Sequence, residues 1–374
     1  MDVSAANNHF AADALRELSR SAEGQNVVFS SLSVFTALAV VYLGAKGNTA
    51  AQIGKTLHFD EVKTLHSGCQ NLLNELEKNT DSYVFTIANR LFGQKSFEYI
   101  PDFLEDAKKL YSADLEKLDF NKDTEKSRLY INNWISQETK GKIQQLLPEQ
   151  SITPNTALVV TNALYFAANW TKPFSNYKTH KAPFTLLSNE KVTVDMMFVV
   201  NSFKVTYIED PGVKVLELPY GPVQDFSMVI ILPDSNLIFK QVTREMSLEK
   251  LNAWINFADV KLSMVHVEMP KFKAEQSFSL KKMLRSMGIT EMFSEVKANF
   301  SGMSKQGHLY MSDMYHKTTI EVNEKGTEAA SSSASVMSLR IAASEEFKAH
   351  HPFFFAIKHN KSNCILLCGK VDKP

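Results

Sequence analysis

The chain has 374 residues, of which 44% are hydrophobic and 22% charged, an ordinary balance for a soluble globular protein. Lys plus Arg and Asp plus Glu each number 41, so the formal net charge is zero and we expect no nucleic-acid or membrane partner. The three cysteines, Cys69, Cys364 and Cys368, are too few for a disulfide framework and are expected to be free thiols. No residue pattern indicates a cofactor or a metal site.

Residues 1–20 predict an amphipathic surface helix, because Phe10, Ala14, Leu15 and Leu18 recur at helical spacing. The same residues lack the apolar core of a secretory signal. Two locations stay open. The protein is cytoplasmic if Met1 is its natural start, or extracellular if a signal peptide has been removed. No stretch of eighteen apolar residues predicts a transmembrane helix.

Helices are predicted in the first part of the chain and strands in the second. The predicted helices cover residues 32–43, a segment around Ile53, and residues 62–78, 101–111 and 124–147. Strands are predicted at residues 27–29, 156–166, 192–197, 203–208, 213–218, 226–232, 265–269, 318–322, 353–358 and 364–369, with two more helices at 247–257 and 279–287. Because helices and strands do not alternate regularly, we expect an α+β fold in a single domain, residues 1–374.

One segment breaks this pattern. Residues 323–335 contain a long run of Ala and Ser and have too little apolar surface to fold alone, although strand-like sequence lies on both sides. Alternate side chains of an extended chain point to one face, and here they are Thr327, Ala329, Ser331, Ser333 and Ser335. All are small enough to enter a closed sheet. A flexible surface linker is the simpler alternative.

An apolar stretch that ends in a basic residue follows this segment. Ser338, Leu339 and Arg340 precede Ile341, a pattern that suits a trypsin-type protease with an acidic group in its specificity pocket. Leu339 is the alternative cleavage position and would suit a chymotrypsin-like protease.

Residues 321–330 (EVNEKGTEAA) resemble the hinge signature of inhibitory serpins. Further motifs of that family occur in family order along the chain: 29–33 (FSSLS), 43–49 (LGAKGNT), 131–134 (INNW), 162–166 (NALYF), 216–220 (LELPY), 269–272 (MPKF) and 351–353 (HPF).

The resemblance implies three β-sheets, eight or nine helices and an exposed reactive-centre loop at about residues 324–346. It also implies a suicide-substrate mechanism, in which a protease cleaves the loop and the loop then inserts into the main sheet before deacylation. The active state is therefore metastable. At the family's spacing, fourteen residues beyond Gly326, the scissile bond is Arg340–Ile341.

The resemblance also assigns roles by motif. The hinge residues are Glu324, Gly326, Thr327, Glu328, Ala329 and Ala330, and a cluster that controls sheet opening comprises Ser30, Ser33, Asn162 and His316, with Trp170 at the top of the sheet. Two positions depart from the family, which often has Pro at Ser31 and Gly at Ala168. Neither is expected to touch the hinge.

The resemblance predicts a monomer whose partner is a trypsin-like serine protease, held in a covalent complex. No strong heparin site is expected, because the helix at 62–78 lacks a basic stripe.

Two other functions were considered. An enzyme is not the main hypothesis, because the sequence lacks nucleophile-elbow, phosphate-loop and zinc-protease motifs. A non-inhibitory serpin, acting as carrier or chaperone, is the alternative, although its hinge would usually contain bulky, charged or proline residues.

Overall fold

The computed structural model describes residues 1–76, 83–327 and 344–374. This part of the chain contains nine α-helices and fifteen strands. The helices are α1 (Val3–Ser21), α2 (Ser31–Gly44), α3 (Gly47–Thr56), α4 (Leu65–Leu76), α5 (Pro101–Tyr111), α6 (Thr124–Glu138), α7 (Asn236–Glu245), α8 (Leu248–Ile255) and α9 (Lys281–Ser286). Short 3-10 helices cover Phe59–Glu61, Asn176–Lys178 and Glu291–Phe293. None of the described helices is long and apolar enough to cross a membrane.

The strands form two hydrogen-bonded sheets in the described residues. They are β1 (Val27–Phe29), β2 (Tyr83–Gln94), β3 (Leu115–Leu118), β4 (Leu158–Asn169), β5 (His180–Thr185), β6 (Lys191–Ile208), β7 (Val213–Pro219), β8 (Phe226–Pro233), β9 (Leu262–Pro270), β10 (Phe272–Ser279), β11 (Met311–Val322), β12 (Gly326–Thr327), β13 (Glu345–Lys348), β14 (Phe353–His359) and β15 (Cys364–Val371).

The main sheet has six strands in the order β10-β11-β12-β4-β2-β3. Its centre is the pair β4 and β11, which run parallel from Met311 opposite Leu158 to Thr318 opposite Leu164. The short strand β12 enters between them at one end, antiparallel to both. We call the line along which β4 and β11 meet the seam.

The second sheet has nine strands and two parts joined by the long strand β6. The first part of β6 pairs with β5 and β9, and β9 pairs with β13. The end of β6 pairs with β7, which continues through β8, β14 and β15 to β1. Counted as separate sheets, these two parts and the main sheet give the expected three, and the α+β prediction is confirmed.

Helix α2 lies at the centre of the molecule. The Ser30 side chain caps its first turn by accepting a hydrogen bond from the Ser33 amide, and the helix is apolar on all sides. Its side chains belong to a core that extends from Val3 on α1 to Val371 on β15. Cys69, Cys364 and Cys368 are free and buried, as predicted.

Two predictions about the elements were wrong, and one central strand was not predicted. The helix expected at 124–147 ends at Glu138, because the Thr139 hydroxyl bonds to the Ile135 carbonyl and the chain then turns through Lys140 and Gly141 with positive φ. The strands expected at 192–197 and 203–208 are one strand, β6, since residues 198–202 between them continue the pairing with β9. The central strand β2 was not predicted at all.

Candidate functional site

The end of the seam holds Gly326 and Thr327, the last described residues of the segment that we call the hinge. Gly326 pairs with Asn169, and Thr327 pairs with Ala168 on one side and Val322 on the other. Thr327 is completely buried. A Cβ atom at Gly326 would lie 2.0 Å from the Ala168 carbonyl oxygen, so only glycine allows the chain to approach β4 this closely.

Ala168 therefore touches the hinge, contrary to the expectation from the sequence. It is the strand partner of Thr327, and its carbonyl defines the space available to Gly326. The other departure, Ser31, lies on α2, where its hydroxyl donates to the Ile365 carbonyl at 3.1 Å. Ser31 is therefore a buried residue of the core, and its contact is with β15.

Trp170 and Tyr220 form a platform under the hinge. Their rings stack with centroids 4.4 Å apart, and the Tyr220 hydroxyl shares a 2.7 Å hydrogen bond with Thr327 Oγ1. The Trp170 indole N–H donates to the Asn323 carbonyl at 3.0 Å, and its amide donates to the Lys325 carbonyl at 2.8 Å. Burial raises the pKa of Tyr220, so its hydroxyl stays protonated and available for this bond.

Glu324 anchors the turn that precedes the hinge. Its carboxylate accepts a 2.7 Å hydrogen bond from the Thr179 hydroxyl and lies 3.1 Å from the Lys271 ammonium. Burial alone would raise the pKa of Glu324, but the hydrogen bonds from Thr179 and Lys271 lower it below its usual value. The ionised carboxylate therefore holds the start of the loop against the second sheet.

A polar cluster crosses the middle of the seam. Asn162 of β4 lies directly opposite His316 of β11, and His316 Nδ1 donates to Asn162 Oδ1 at 2.5 Å. His316 Nε2 accepts from the Ser30 amide at 3.2 Å and from the Thr318 hydroxyl at 2.7 Å. These partners assign the neutral ring with its proton on Nδ1. Burial lowers the pKa of His316 to about 3, in agreement with that assignment.

The cluster also ties the main sheet to α2. Ser33 Oγ lies 2.8 Å from Asn162 Oδ1 and 2.7 Å from Ser30 Oγ. Asn89 of β2 accepts from the Asn162 amide and donates to Thr36 Oγ1 at 3.0 Å. Separating β4 from β11 here would break the bond between Asn162 and His316. We call this cluster the lock.

The structure thus brings the predicted residues together in two groups, with Ser30, Ser33, Asn162 and His316 at the lock and Glu324, Gly326, Thr327 and Trp170 at the hinge. The sequence prediction missed Asn89, Thr36 and Thr318 at the lock and Thr179, Lys271 and Tyr220 at the hinge. Asn89, next to Arg90 in a stretch of mainly apolar residues, was a usable signal. The predicted residues Glu328, Ala329, Ala330, Ser338, Leu339, Arg340 and Ile341 lie outside the described residues.

Comparisons with known proteins agree with this geometry. The family model described as serpin (serine protease inhibitor) matches residues 5–374. The chain is 44% identical over 379 aligned positions to a leukocyte elastase inhibitor of Xenopus tropicalis, and 41% identical over 374 positions to human serpin B8, in both cases over 100% of both chains. It is also similar to the crystal structure of uncleaved ovalbumin, with a TM-score of 0.93, 33% identity and coverage of 100% of both chains. The seam, the hinge seated in it and these matches along nearly the whole chain show that the protein belongs to the serpin family of serine protease inhibitors.

Proposed function

We propose that this chain inhibits a trypsin-like serine protease as a suicide substrate, with Arg340–Ile341 as the reactive bond. The catalytic serine of the protease attacks the carbonyl of Arg340, the Arg340–Ile341 peptide bond breaks, and Arg340 becomes the acyl group on that serine. The new amino terminus at Ile341 stays with the folded protein, because β13, β14 and β15 follow it in the second sheet. The freed loop then inserts along the seam as a new strand, and the bound protease is carried away from its starting position before deacylation.

The observation that supports this proposal is the position of β12. Gly326 and Thr327 already lie between β4 and β11, in the antiparallel direction that a further inserted strand would need. The next same-face positions are Ala329, Ser331, Ser333 and Ser335, all small. Insertion breaks the pairing between β4 and β11 and replaces it with pairing of the new strand to both, so a net gain of about ten backbone hydrogen bonds at ~1 kcal/mol each would give a driving force near ~10 kcal/mol.

The same observation favours inhibition over a non-inhibitory role. Thr327 is completely buried, so a charged side chain there would lose its hydration, and Gly326 leaves no room for a Cβ. A carrier or chaperone has no need for small residues along the inserting face. Glu328 is the charged residue in the sequence 327–335, and in an inserted strand the alternation of side chains would direct it to the face opposite Thr327.

The choice of protease depends on the residue before the scissile bond. Arg340 suits a specificity pocket with an acidic base, whereas Leu339 would suit a hydrophobic pocket. The relative from Xenopus tropicalis carries the name of an elastase inhibitor, and elastase has a small pocket. Arg340 is too long for such a pocket, so we infer that this chain has a different target from that relative.

Variants at the two positions separate these targets. Arg340→Ala should lower the second-order rate of trypsin inhibition by about 100-fold or more, because the acidic pocket loses its only charged partner. Leu339→Ala should leave that rate within about threefold of the wild-type value. The measurement is the loss of protease activity with time, for trypsin and chymotrypsin in parallel. If Leu339→Ala abolished inhibition and Arg340→Ala did not, the reactive bond would be Leu339–Arg340.

A further inference from the structure

Two histidines and an aspartate meet where α1 packs against the segment that follows α3. His9 and Asp13 lie four residues apart on α1, so their side chains leave the same face of the helix. His58 comes from the residue just before the 3-10 helix Phe59–Glu61 and has a positive φ of 58°. One ligand atom from each of these three residues lies within 4.8 Å of the other two.

The two imidazole rings are held in defined positions. The rings of His9 and His58 stack with centroids 3.6 Å apart and an interplanar angle of 6°. His58 Nδ1 lies 3.4 Å from Glu61 Oε1, and His58 Nε2 faces Asp13 Oδ2 at 3.9 Å. A carboxylate on one ring nitrogen, with the other nitrogen directed at further ligands, is the arrangement that orients histidines in metal sites.

One nitrogen in this cluster has no partner. His9 Nδ1 is buried and forms no hydrogen bond within the described residues. Buried polar atoms without a partner are rare in native proteins, and an unpaired one indicates a group that a bound species can satisfy. The neighbouring ligands are only partly buried, with 17% of the His58 side chain and 24% of the Asp13 side chain exposed, so an ion can reach them.

We propose that His9, Asp13 and His58 form a binding site for Zn²⁺, with Glu61 orienting His58. Two imidazoles and one carboxylate form a donor set that suits zinc better than Mg²⁺ or Ca²⁺, which prefer oxygen ligands. The nitrogen lone pairs of two stacked rings do not converge, so the partly exposed His58 ring would turn out of the stack for both imidazoles to hold one ion at about 2.0–2.1 Å. A water molecule would complete the coordination.

The ion would fasten α1 to the segment that contains His58. These regions already meet at the terminal amine of Met1, which donates to the Glu61 carbonyl at 3.3 Å. Because α1 packs on α2 and β15 in the central core, a bound ion would stabilise the native state. The structure therefore assigns this site a role in stability rather than in the reaction with the protease.

The test is calorimetric titration of the full-length protein with Zn²⁺ after treatment with a chelator. We expect one equivalent of zinc to bind, and the melting temperature to rise with zinc concentration while Mg²⁺ has no effect. His9→Ala and Asp13→Asn should each weaken zinc binding by about 100-fold, and Glu61→Gln by about tenfold. His180→Ala, which removes an exposed histidine on β5, is the matched control and should bind zinc as the wild type does.

The melting temperature in chelator shows whether each variant is folded. Asp13→Asn keeps the shape of the side chain and decides the result if His9→Ala does not fold. If the wild-type protein bound no zinc, the cluster would only be an ion pair of His58 with Asp13 and Glu61, beside the stacked ring of His9. That result would overturn the proposal. Zinc binding undiminished in His9→Ala and Asp13→Asn would place the ion elsewhere and would overturn it equally.

Discussion

Thr327→Arg is expected to convert the protein from an inhibitor into a substrate. Thr327 is completely buried between β4 and β11 and shares a hydrogen bond with Tyr220, so an arginine there would place an unpaired charge in a closed sheet. An added barrier of about 3 kcal/mol would slow insertion by roughly 100-fold, enough for deacylation to occur first. Trypsin should then cleave the variant without forming a complex that survives SDS.

Two variants control for folding and for charge. Thr327→Ser keeps the hydroxyl that bonds to Tyr220 and should still trap protease. Glu328→Arg introduces the same residue one position further on, where the alternation of a strand directs it to the opposite face, and it should also still trap protease. If Thr327→Arg formed the trapped complex as well as the wild type does, loop insertion along the seam would not be the mechanism.

Lowering the pH should reduce the free energy of unfolding, because the native lock holds His316 in its neutral form. Burial lowers the pKa of His316 from 6.5 to about 3, so the unfolded chain binds a proton more readily than the native state between these values. The stability linked to this group is complete above pH 6.5 and is lost as the pH falls. At pH 5 the loss should be about 2 kcal/mol in the free energy of unfolding, since each pH unit corresponds to about 1.36 kcal/mol.

Urea unfolding at pH 7 and pH 5 measures this loss. His316→Asn retains an amide that can bond to Asn162 but does not titrate, so it should be less stable at pH 7 and lose about 2 kcal/mol less than the wild type on acidification. His180→Gln alters an exposed histidine and should follow the wild-type pH dependence. Equal pH dependence in His316→Asn and the wild type would show that His316 is not the group responsible.

Elements whose formation depends on neighbouring residues could be predicted from the sequence. Helix α2 was predicted because it is apolar on all sides, and the hairpin of β6 and β7 because a Pro-Gly turn separates two apolar stretches. The hinge and lock residues came from motifs of the family. The location of Gly326 and Thr327 inside the sheet explains why those positions must be small.

What the sequence did not predict depends on contacts between distant segments. β2 mixes polar Asn89 and Arg90 with apolar residues, because Asn89 belongs to the buried lock and not to a solvent-facing side. Ala168 was separated from the hinge in sequence, although the two are strand partners. His9 and His58 follow no metal-ligand spacing, and only the packing of α1 brings them together.

The most direct test of the central claim is incubation of the protein with trypsin, followed by denaturing gel electrophoresis and N-terminal analysis of the released peptide. We expect a covalent band that survives SDS and a peptide that begins at Ile341. Cleavage at that bond without a covalent band would show that the protein is a substrate and not an inhibitor, and would contradict the account.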